Sequence, residues 1–277
     1  MAPTVPSPPV PHSLTEGKVI SIVNQKGGVG KSATATNLSA ALVREGYKVL
    51  AIDFDSQGNL TESLGFRNYD DHEDTIYELM SAIIKESPLP PNFYILHQEE
   101  GIDLIPSNIS LADLDIMLVN TMSREFVFKQ LVTMIKENFN YDYILVDCMP
   151  GLGMLTINAL VATDEVIIPV EPSYLPIKGL QMLLRTIAKV RRQLNPSLKI
   201  KGILFTLVNN TNEAKDNMQT LRDVYGSQIN IFDVTIPFTV KIKESVKSGI
   251  SIFKYLPSSK AAASYRNIAM EVINIEK

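Results

Sequence analysis

The chain has 277 residues, of which 45% are hydrophobic and 20% are charged, a balance typical of a globular protein with a substantial core. Its net charge of −4 argues against a protein that binds nucleic acid through a globally basic surface. The single cysteine, Cys148, excludes a disulfide framework and favours the reducing cytoplasm; we expect it to be an inert core residue.

The charge is unevenly distributed along the chain. From residue 199 to the last residue, 11 Lys and Arg stand against 7 Asp and Glu, so this third carries +4 and the rest −8. A local basic face is therefore compatible with the sequence, although solvated helix surfaces explain these residues equally well on charge alone. No apolar run is long enough to span a membrane.

The first 17 residues differ in composition from the rest. Prolines at positions 3, 6, 8, 9 and 11 predict an extended, flexible N-terminal arm over residues 1–17. Such an arm either contacts a partner or is a passive tail. Residues 18–277 are predicted to form a single domain.

A nucleotide-binding loop is predicted between the first strand and the first helix. Val19–Val23 is a short apolar run, rich in β-branched residues, that predicts a buried parallel strand. In the following segment, residues 24–32, glycines allow backbone N–H groups to face an anion at a helix N-terminus. Lys31 is predicted to reach the β- and γ-phosphates and Ser32 to hold Mg²⁺. The residues expected around the phosphates are Gly27, Gly28, Val29, Gly30, Lys31, Ser32 and Ala33.

Two further predicted strands end in carboxylates. Val49–Ile52 leads into Asp53 and Asp55, which alternation places on the same side of the chain, and Tyr143–Val146 leads into Asp147. The carboxyl ends of parallel strands meet at the crevice where such sheets bind ligands. A hydrophobic strand that ends in aspartate is the Walker B arrangement, so Asp147 is predicted to reach Mg²⁺ through water.

The remaining elements complete an α/β pattern. Ile203–Val208 predicts a buried strand before Asn209, whose side-chain amide matches the edge of adenine. Thr75–Ile84 predicts a helix, and Phe93–Leu96 with Ile102–Ile105 predicts a pair of strands. We therefore predict an α/β fold with a mostly parallel, twisted sheet of seven or eight strands and helices on both faces.

The phosphate loop departs from the standard pattern at two positions. Gln25 stands where the standard loop has glycine, and an extra cation, Lys26, follows it. The resulting K-G-G-V-G-K-S segment resembles the deviant Walker A box of the ParA/MinD superfamily of ATPases. The resemblance implies that Lys26 reaches the nucleotide of a partner subunit, so that two chains and two ATP molecules form a sandwich homodimer.

The resemblance also implies roles for the two aspartates after the second strand. Residues 53–59 resemble the D-x-D-P-Q-G-N segment called switch I, in which the second aspartate orients the attacking water and the first supports the magnesium shell. Asp55 is therefore the expected catalytic carboxylate, with Lys26 and Lys31, and Asp53 joins Ser32 and Asp147 around the metal. Ser56 replaces the usual proline.

A later run implies base and DNA contacts. Residues 236–245 resemble the family's I-P-R-N-V-R-x-S-E-A run, whose proline segment packs along the base, so Pro237 and Phe238 are expected base contacts. Asn209 is the third, because it matches an asparagine that reads the base in MinD-like members. Lys241 matches an arginine that ParA-like members use against DNA phosphates. The further DNA-binding candidates are Lys243, Lys247 and Arg222, then Lys254 and Arg266.

The resemblance is greatest to the ParA/Soj partition ATPases. It implies a slow ATPase that uses ATP and Mg²⁺, binds DNA non-specifically as a homodimer on the nucleoid in the cytoplasm, and is reset by a ParB-like centromere-binding partner. Positioning of a cargo other than DNA stays open. A membrane-cycling regulator of the MinD type is disfavoured because residues 266–277 carry as many acids as bases. An amidoligase is disfavoured because it needs no cross-subunit lysine.

Overall fold

A computed structural model describes residues 17–172 and 177–274, so the predicted N-terminal arm, apart from Gly17, lies outside the described residues. Within these ranges seven strands form one sheet. They are β1 (Lys18–Ile22), β2 (Val49–Phe54), β3 (Leu96–His97), β4 (Ile102–Ile105), β5 (Tyr143–Cys148), β6 (Glu165–Val170) and β7 (Lys199–Phe205). Their order across the sheet is β3-β4-β2-β5-β1-β6-β7.

The sheet is parallel except at one edge, where β3 pairs antiparallel with β4. Helices cover both of its faces, because successive residues of each strand point to opposite sides and both sides are apolar. The helices are α1 (Lys31–Arg44), α2 (Asn59–Ser63), α3 (Ile76–Ile84), α4 (Leu114–Val119), α5 (Val127–Asn138), α6 (Met154–Ala162), α7 (Ile177–Gln193), α8 (Asn212–Tyr225), α9 (Val240–Lys247), α10 (Ile252–Tyr255) and α11 (Lys260–Asn274). The predicted fold class is confirmed.

The two faces have separate cores. Val19 of β1 packs in a core with α3 to α8, whereas the next residue, Ile20, packs in a core with α1, α2 and α9 to α11. The central strands β2, β5 and β6 are buried at every residue. Cys148 belongs to the first core, and burial raises the pKa of its thiol, as expected of an inert cysteine.

The structure corrects two strand predictions and adds one strand. Phe93 and Tyr94 have positive φ and form a turn, so β3 is shorter than the predicted Phe93–Leu96. β7 begins and ends earlier than predicted, and Val208 forms only an isolated bridge with Pro237. Sequence patterns do not predict β6, because a proline interrupts the short apolar run that follows Glu165.

Helices α2 and α9 approach each other through two glycines. Gly65 follows α2 and Gly249 follows α9, both with positive φ, and a Cβ on Gly249 would lie 2.5 Å from the Gly65 Cα. The Arg67 guanidinium also donates to the Lys247 carbonyl. Since only glycine allows this backbone approach, the contact fixes α9 beside the segment that follows β2.

We expect Gly249→Ala to lower the free energy of unfolding by about 2 kcal/mol, because the new methyl overpacks the contact and strains a positive φ. Thermal unfolding measures this loss as a fall of about 5 °C. Gly179→Ala is the matched control: a Cβ there meets nothing within 4 Å and alanine favours the helix. Equal unfolding temperatures for the two variants would contradict the prediction.

Candidate nucleotide site

The loop after β1 has the conformation expected of an anion cradle. Gly28 and Gly30 adopt φ of +73° and +82°, which side chains other than glycine rarely allow. Gly30 precedes α1, and no side chain caps the first N–H groups of this helix. Its first turn also has no acidic residue. The helix N-terminus is therefore available to a phosphate.

A cavity of about 330 Å³ joins this loop to the segment after β2 and to α9. Its volume is in the range of small-molecule sites. All the predicted phosphate residues except Val29, whose side chain is buried, line it together with the predicted catalytic aspartate and one residue of α9. Its lining comprises Gly27, Gly28, Gly30, Lys31, Ser32, Ala33, Asp55, Gln57, Asn59, Glu62, Ser63, Pro150 and Val246.

The two lysines of the loop have different environments. Lys31 is 7% exposed, and its Nζ lies 3.4 Å from the Lys26 carbonyl oxygen, inside the loop. The Lys26 side chain is 44% exposed and forms an ion pair of 3.0 Å with Glu171 of the same chain. Lys31 is thus placed to meet phosphates bound by its own loop, and Lys26 lies at the rim.

Polar contacts attach the loop to the neighbouring strands. The Asn24 side chain donates to the Pro169 carbonyl of β6 at 2.6 Å and accepts from the Lys26 N–H at 2.9 Å. The Thr206 hydroxyl, just after β7, donates to the Val29 carbonyl at 2.7 Å. Sequence reasoning missed both Asn24 and Thr206. The only available signal was their position directly after an apolar run.

The two strand aspartates that are predicted to support a metal are neighbours. Asp53 and Asp147 are register partners on β2 and β5, and both are fully buried. Asp53 accepts hydrogen bonds from the Thr61 N–H at 2.8 Å, the Thr61 hydroxyl at 2.7 Å and the Asp55 N–H at 3.2 Å. Burial raises the pKa of Asp53 to about 7, although these hydrogen bonds oppose the rise. Asp53 therefore has little capacity left for direct metal ligation, which fits a supporting role.

Asp147 is placed differently, because neither of its buried oxygens has a hydrogen-bond partner among the described residues. Burial, reinforced by the neighbouring Asp53 carboxylate, raises the pKa of Asp147 well above its usual value; the nearby Ser32 hydroxyl and Lys31 ammonium oppose the rise. A buried, unsatisfied carboxylate beside a phosphate loop is suited to a cation.

The protein supplies few ligands for that cation. In the described part of the chain, no group of three or more His, Cys, Asp or Glu could hold a metal. An ion here would take most of its ligands from phosphates and water, as Mg²⁺ does in nucleotide sites. The residues present therefore fit magnesium held by Ser32 and, through water, Asp147.

Asp55 points into the cavity and is 5% exposed. Its carboxylate accepts the Gln57 N–H at 3.1 Å, which fixes the turn between β2 and α2. Thr61, whose backbone N–H donates to Asp53, is the third residue of α2. Sequence reasoning also missed Thr61, whose signal was a hydroxyl shortly after the paired aspartates.

The predicted base contacts come together, and none of them is among the residues that line the phosphate cavity. The Phe238 N–H donates to the Val208 carbonyl at 3.0 Å, so Asn209 and Phe238 lie on adjacent segments. Both side chains are exposed, Phe238 to 48%. Their role toward a base, and that of Pro237, stays a prediction.

The predicted DNA-binding cations fall into two groups. Lys241, Lys243 and Lys247 lie on α9; Lys241 forms an ion pair with Glu244 at 2.8 Å, and the ammonium of Lys243 lies 6.0 Å from the Phe238 ring centre. Arg222 instead packs over the Phe205 ring and donates to the Phe232 carbonyl at 3.4 Å, so part of its hydrogen-bonding capacity serves the fold.

The two remaining candidates are both exposed, and only one has a salt-bridge partner in the described ranges. Lys254 pairs with Glu99, and Arg266 projects from α11. These observations do not decide whether Lys254 or Arg266 binds DNA, and that role stays a prediction for both.

Comparison with known proteins agrees with this geometry. A family model described as an AAA domain matches residues 17–200. The sporulation initiation inhibitor protein Soj of Bacillus subtilis is 39% identical over 92% of this chain and 98% of its own length. The chromosome-partitioning ATPase Soj of Treponema pallidum is 35% identical over 93% of this chain and 97% of its own.

A similar solved structure is a Mycobacterium smegmatis protein named cobyrinic acid a,c-diamide synthase. It is 32% identical, has a TM-score of 0.79 and covers 93% of this chain and 94% of its own, with ADP and magnesium bound. A second structure under that name holds an ATP analogue and magnesium, and the match covers 93% of this chain and 95% of that one.

We expect Asp147→Asn to weaken the effect of Mg²⁺ on ATP binding by about 10–100-fold, because an amide replaces the carboxylate that would hold the ion through water. Thermal unfolding with ATP, in Mg²⁺ and in EDTA, measures this effect. The difference in unfolding temperature between the two conditions should disappear in the variant. The exposed Asp216→Asn is the control with the same change of charge. A full Mg²⁺ response in Asp147→Asn would refute the metal role.

Proposed function

This chain belongs to the Soj/ParA family of ATPases, and we propose that it is a partition ATPase whose ATP-bound homodimer binds DNA without sequence preference. ATP hydrolysis, stimulated by a ParB-like partner, would release the dimer. One observation carries the proposal: Lys31 and Ser32 of the phosphate loop, Asp55 after β2 and Val246 of basic helix α9 all line a single cavity.

ATP is the nucleotide and Mg²⁺ the metal that the proposal assigns to this cavity. The Mycobacterium neighbour holds both kinds of group, and its fold matches over most of the chain. When bound, magnesium would offset negative charge on the β- and γ-phosphates. The loop N–H groups and Lys31 bind the triphosphate, and Asp147 supports the metal side.

Asp55 is the residue proposed to orient water for attack on the γ-phosphate. Its carboxylate already lies in the cavity and is held by the Gln57 N–H. In the described part of the chain no arginine lines the cavity beside this carboxylate. Slow intrinsic turnover is therefore expected, with acceleration by a partner protein.

Lys26 is proposed to change partners on dimerisation. In the single chain it pairs with Glu171. Exposed ion pairs of this kind contribute about 1 kcal/mol or less, so the intrachain pair opposes an exchange only weakly. A triphosphate brought up by a second subunit carries more negative charge than one carboxylate, and charge-assisted contacts to it are stronger. The exchange therefore favours the sandwich dimer.

DNA binding is assigned first to α9. Lys243 and Lys247 are exposed on it, and neither has an ion pair in the ranges that the structure describes. Because the glycine contact fixes α9 against α2, rearrangement around Asp55 would move the two helices together. ATP binding and the placement of these cations are thereby coupled. Nucleoid association in the cytoplasm follows from the same proposal.

A membrane-cycling role finds little support. None of the described helices combines the length and the apolar character that crossing a bilayer requires. The main apolar side of α11 lies in the core, with Tyr265, Ile268 and Val272 each at most 1% exposed; Met270, at 39%, is the exposed exception among its large apolar side chains. A helix whose apolar side is committed to the core has no such side left for a membrane.

A small-molecule amide synthase is the second candidate, favoured by the name of the Mycobacterium neighbour. Such an enzyme would use ATP to activate a carboxylate and would need neither DNA nor Lys26. DNA retention and the Lys26 variant therefore separate the two candidates.

We expect Lys26→Ala to bind ATP within a few-fold of the wild type but to weaken ATP-dependent dimerisation by about 100-fold or more, because each symmetric dimer loses two charge-assisted contacts. Sedimentation with a non-hydrolysable ATP analogue measures the dimer. Lys129→Ala, an exposed cation on α5, is the control. A normal dimer in Lys26→Ala would rule out the cross-subunit role.

We expect DNA retention with ATP and none with ADP or without nucleotide, because only the ATP dimer presents both α9 helices together. A filter or surface assay with duplexes of unrelated sequence measures retention. Lys243→Gln/Lys247→Gln should lower it by about 10-fold or more and reduce its salt dependence while sparing ATP turnover. Nucleotide-independent retention, or an unaffected variant, would contradict the assignment.

A further inference from the structure

A second basic surface lies on α7. This helix of 17 residues contains five cations and no acidic residue. All five are exposed, and in the described ranges none forms an ion pair. The five are Lys178, Arg185, Lys189, Arg191 and Arg192. By contrast, Lys241 of α9 is already paired with Glu244.

Four of these cations form one row, which we call the α7 stripe: Lys178, Arg185, Lys189 and Arg192. Their spacings of 7, 4 and 3 residues place them within a sector of about 60° at 3.6 residues per turn. The row is about 21 Å long. It lies opposite the buried side of the helix, formed by Leu180, Leu183, Ile187 and Val190, so it faces solvent.

The stripe is not explained by helix stability. Arg185 and Lys189 are four residues apart, and Lys189 and Arg192 three, so like charges repel where opposite charges would stabilise. Lys178 lies in the first turn, where the helix dipole disfavours a cation. Arg192, in the last turn, is the only member that the dipole favours. The pattern suits an external anion.

The chemistry of the stripe favours a phosphate backbone over other anions. A membrane surface would need bulky apolar residues beside the cations, and a protein partner would need aromatic or aliphatic anchors. Among the large apolar side chains of α7 from residue 178 onward, where burial is described, only Met182 is substantially exposed, at 50%. Cations along one side of a helix, with neighbouring amides such as Gln181 and Gln193, are sufficient to contact phosphates.

We propose that the α7 stripe is a second surface for duplex DNA, separate from α9. The inference rests on the proposed DNA binding and extends it. The residues of α7 pack in the core on one side of the sheet and those of α9 in the core on the other, so the two surfaces face different directions. One protein dimer would then hold two DNA segments, the first through α9 and the second through α7.

A bridging assay tests this proposal. Protein is loaded with a non-hydrolysable ATP analogue on an immobilised duplex, washed, and offered a fluorescent duplex of unrelated sequence. The wild type should capture the second duplex. Arg185→Gln/Lys189→Gln should keep the first binding step and lower capture at least about 10-fold, with the slope of log affinity against log salt smaller by about 2.

Two matched variants serve as controls. Arg185→Lys/Lys189→Arg keeps the charges and should capture the second duplex normally. Arg191→Gln/Lys215→Gln removes the same charge from exposed positions outside the stripe and should also capture it. Unfolding temperatures equal to that of the wild type show that the variants are folded.

The outcomes distinguish the two proposals. If the wild type binds the first duplex but captures no second one, or if the stripe variant captures it normally, the α7 surface is refuted and the proposed function stands. If the wild type binds no first duplex with the ATP analogue, the proposed function fails and the α7 surface with it. Capture of a labelled polyglutamate peptide in place of the second duplex would overturn the proposal in favour of an acidic protein partner.

Discussion

The site depends on two carboxylates that the sheet buries side by side. Asp53 and Asp147 are register partners with no exposed surface, and their mutual repulsion adds to the cost of burial. An ionised carboxylate without a partner in such a place costs on the order of several kcal/mol. Thr61 satisfies Asp53, whereas the described residues leave both oxygens of Asp147 without a hydrogen bond. The packing of the central strands thus leaves buried negative charge that nearby positive charge would stabilise. Lys31 and a cation bound with phosphates would supply that positive charge.

The same aspartates connect the site to the rest of the molecule. Asp53 holds Thr61 at the start of α2, and α2 contacts α9 through Gly65 and Gly249. Closely packed backbones cannot slide past one another without clashes, so the two helices respond as a unit. The phosphate site and the cations of α9 are therefore connected through only a few contacts.

The net charge of −4 conceals a strongly segregated surface. α7 carries five cations and no acid, although it lies in the part of the chain whose overall charge is negative. Charge counts over long segments average such a helix with its acidic neighbours. Only the arrangement of exposed side chains on one side of the helix makes the row visible, because the apolar side is fixed against the sheet.

The sequence by itself determined the phosphate loop, the aspartates that end β2 and β5, and the mostly parallel α/β architecture. These features are local: a glycine-rich turn and an apolar run that ends in a carboxylate carry their meaning within a few residues. Tertiary structure alone decided that Asp53 is satisfied by Thr61 while Asp147 is not, that Lys26 pairs with Glu171, and that Arg222 packs on Phe205. Each of these contacts joins different elements of the fold. The physical reason is that side chains on different elements are brought together by the packing of the whole sheet, which no local pattern records.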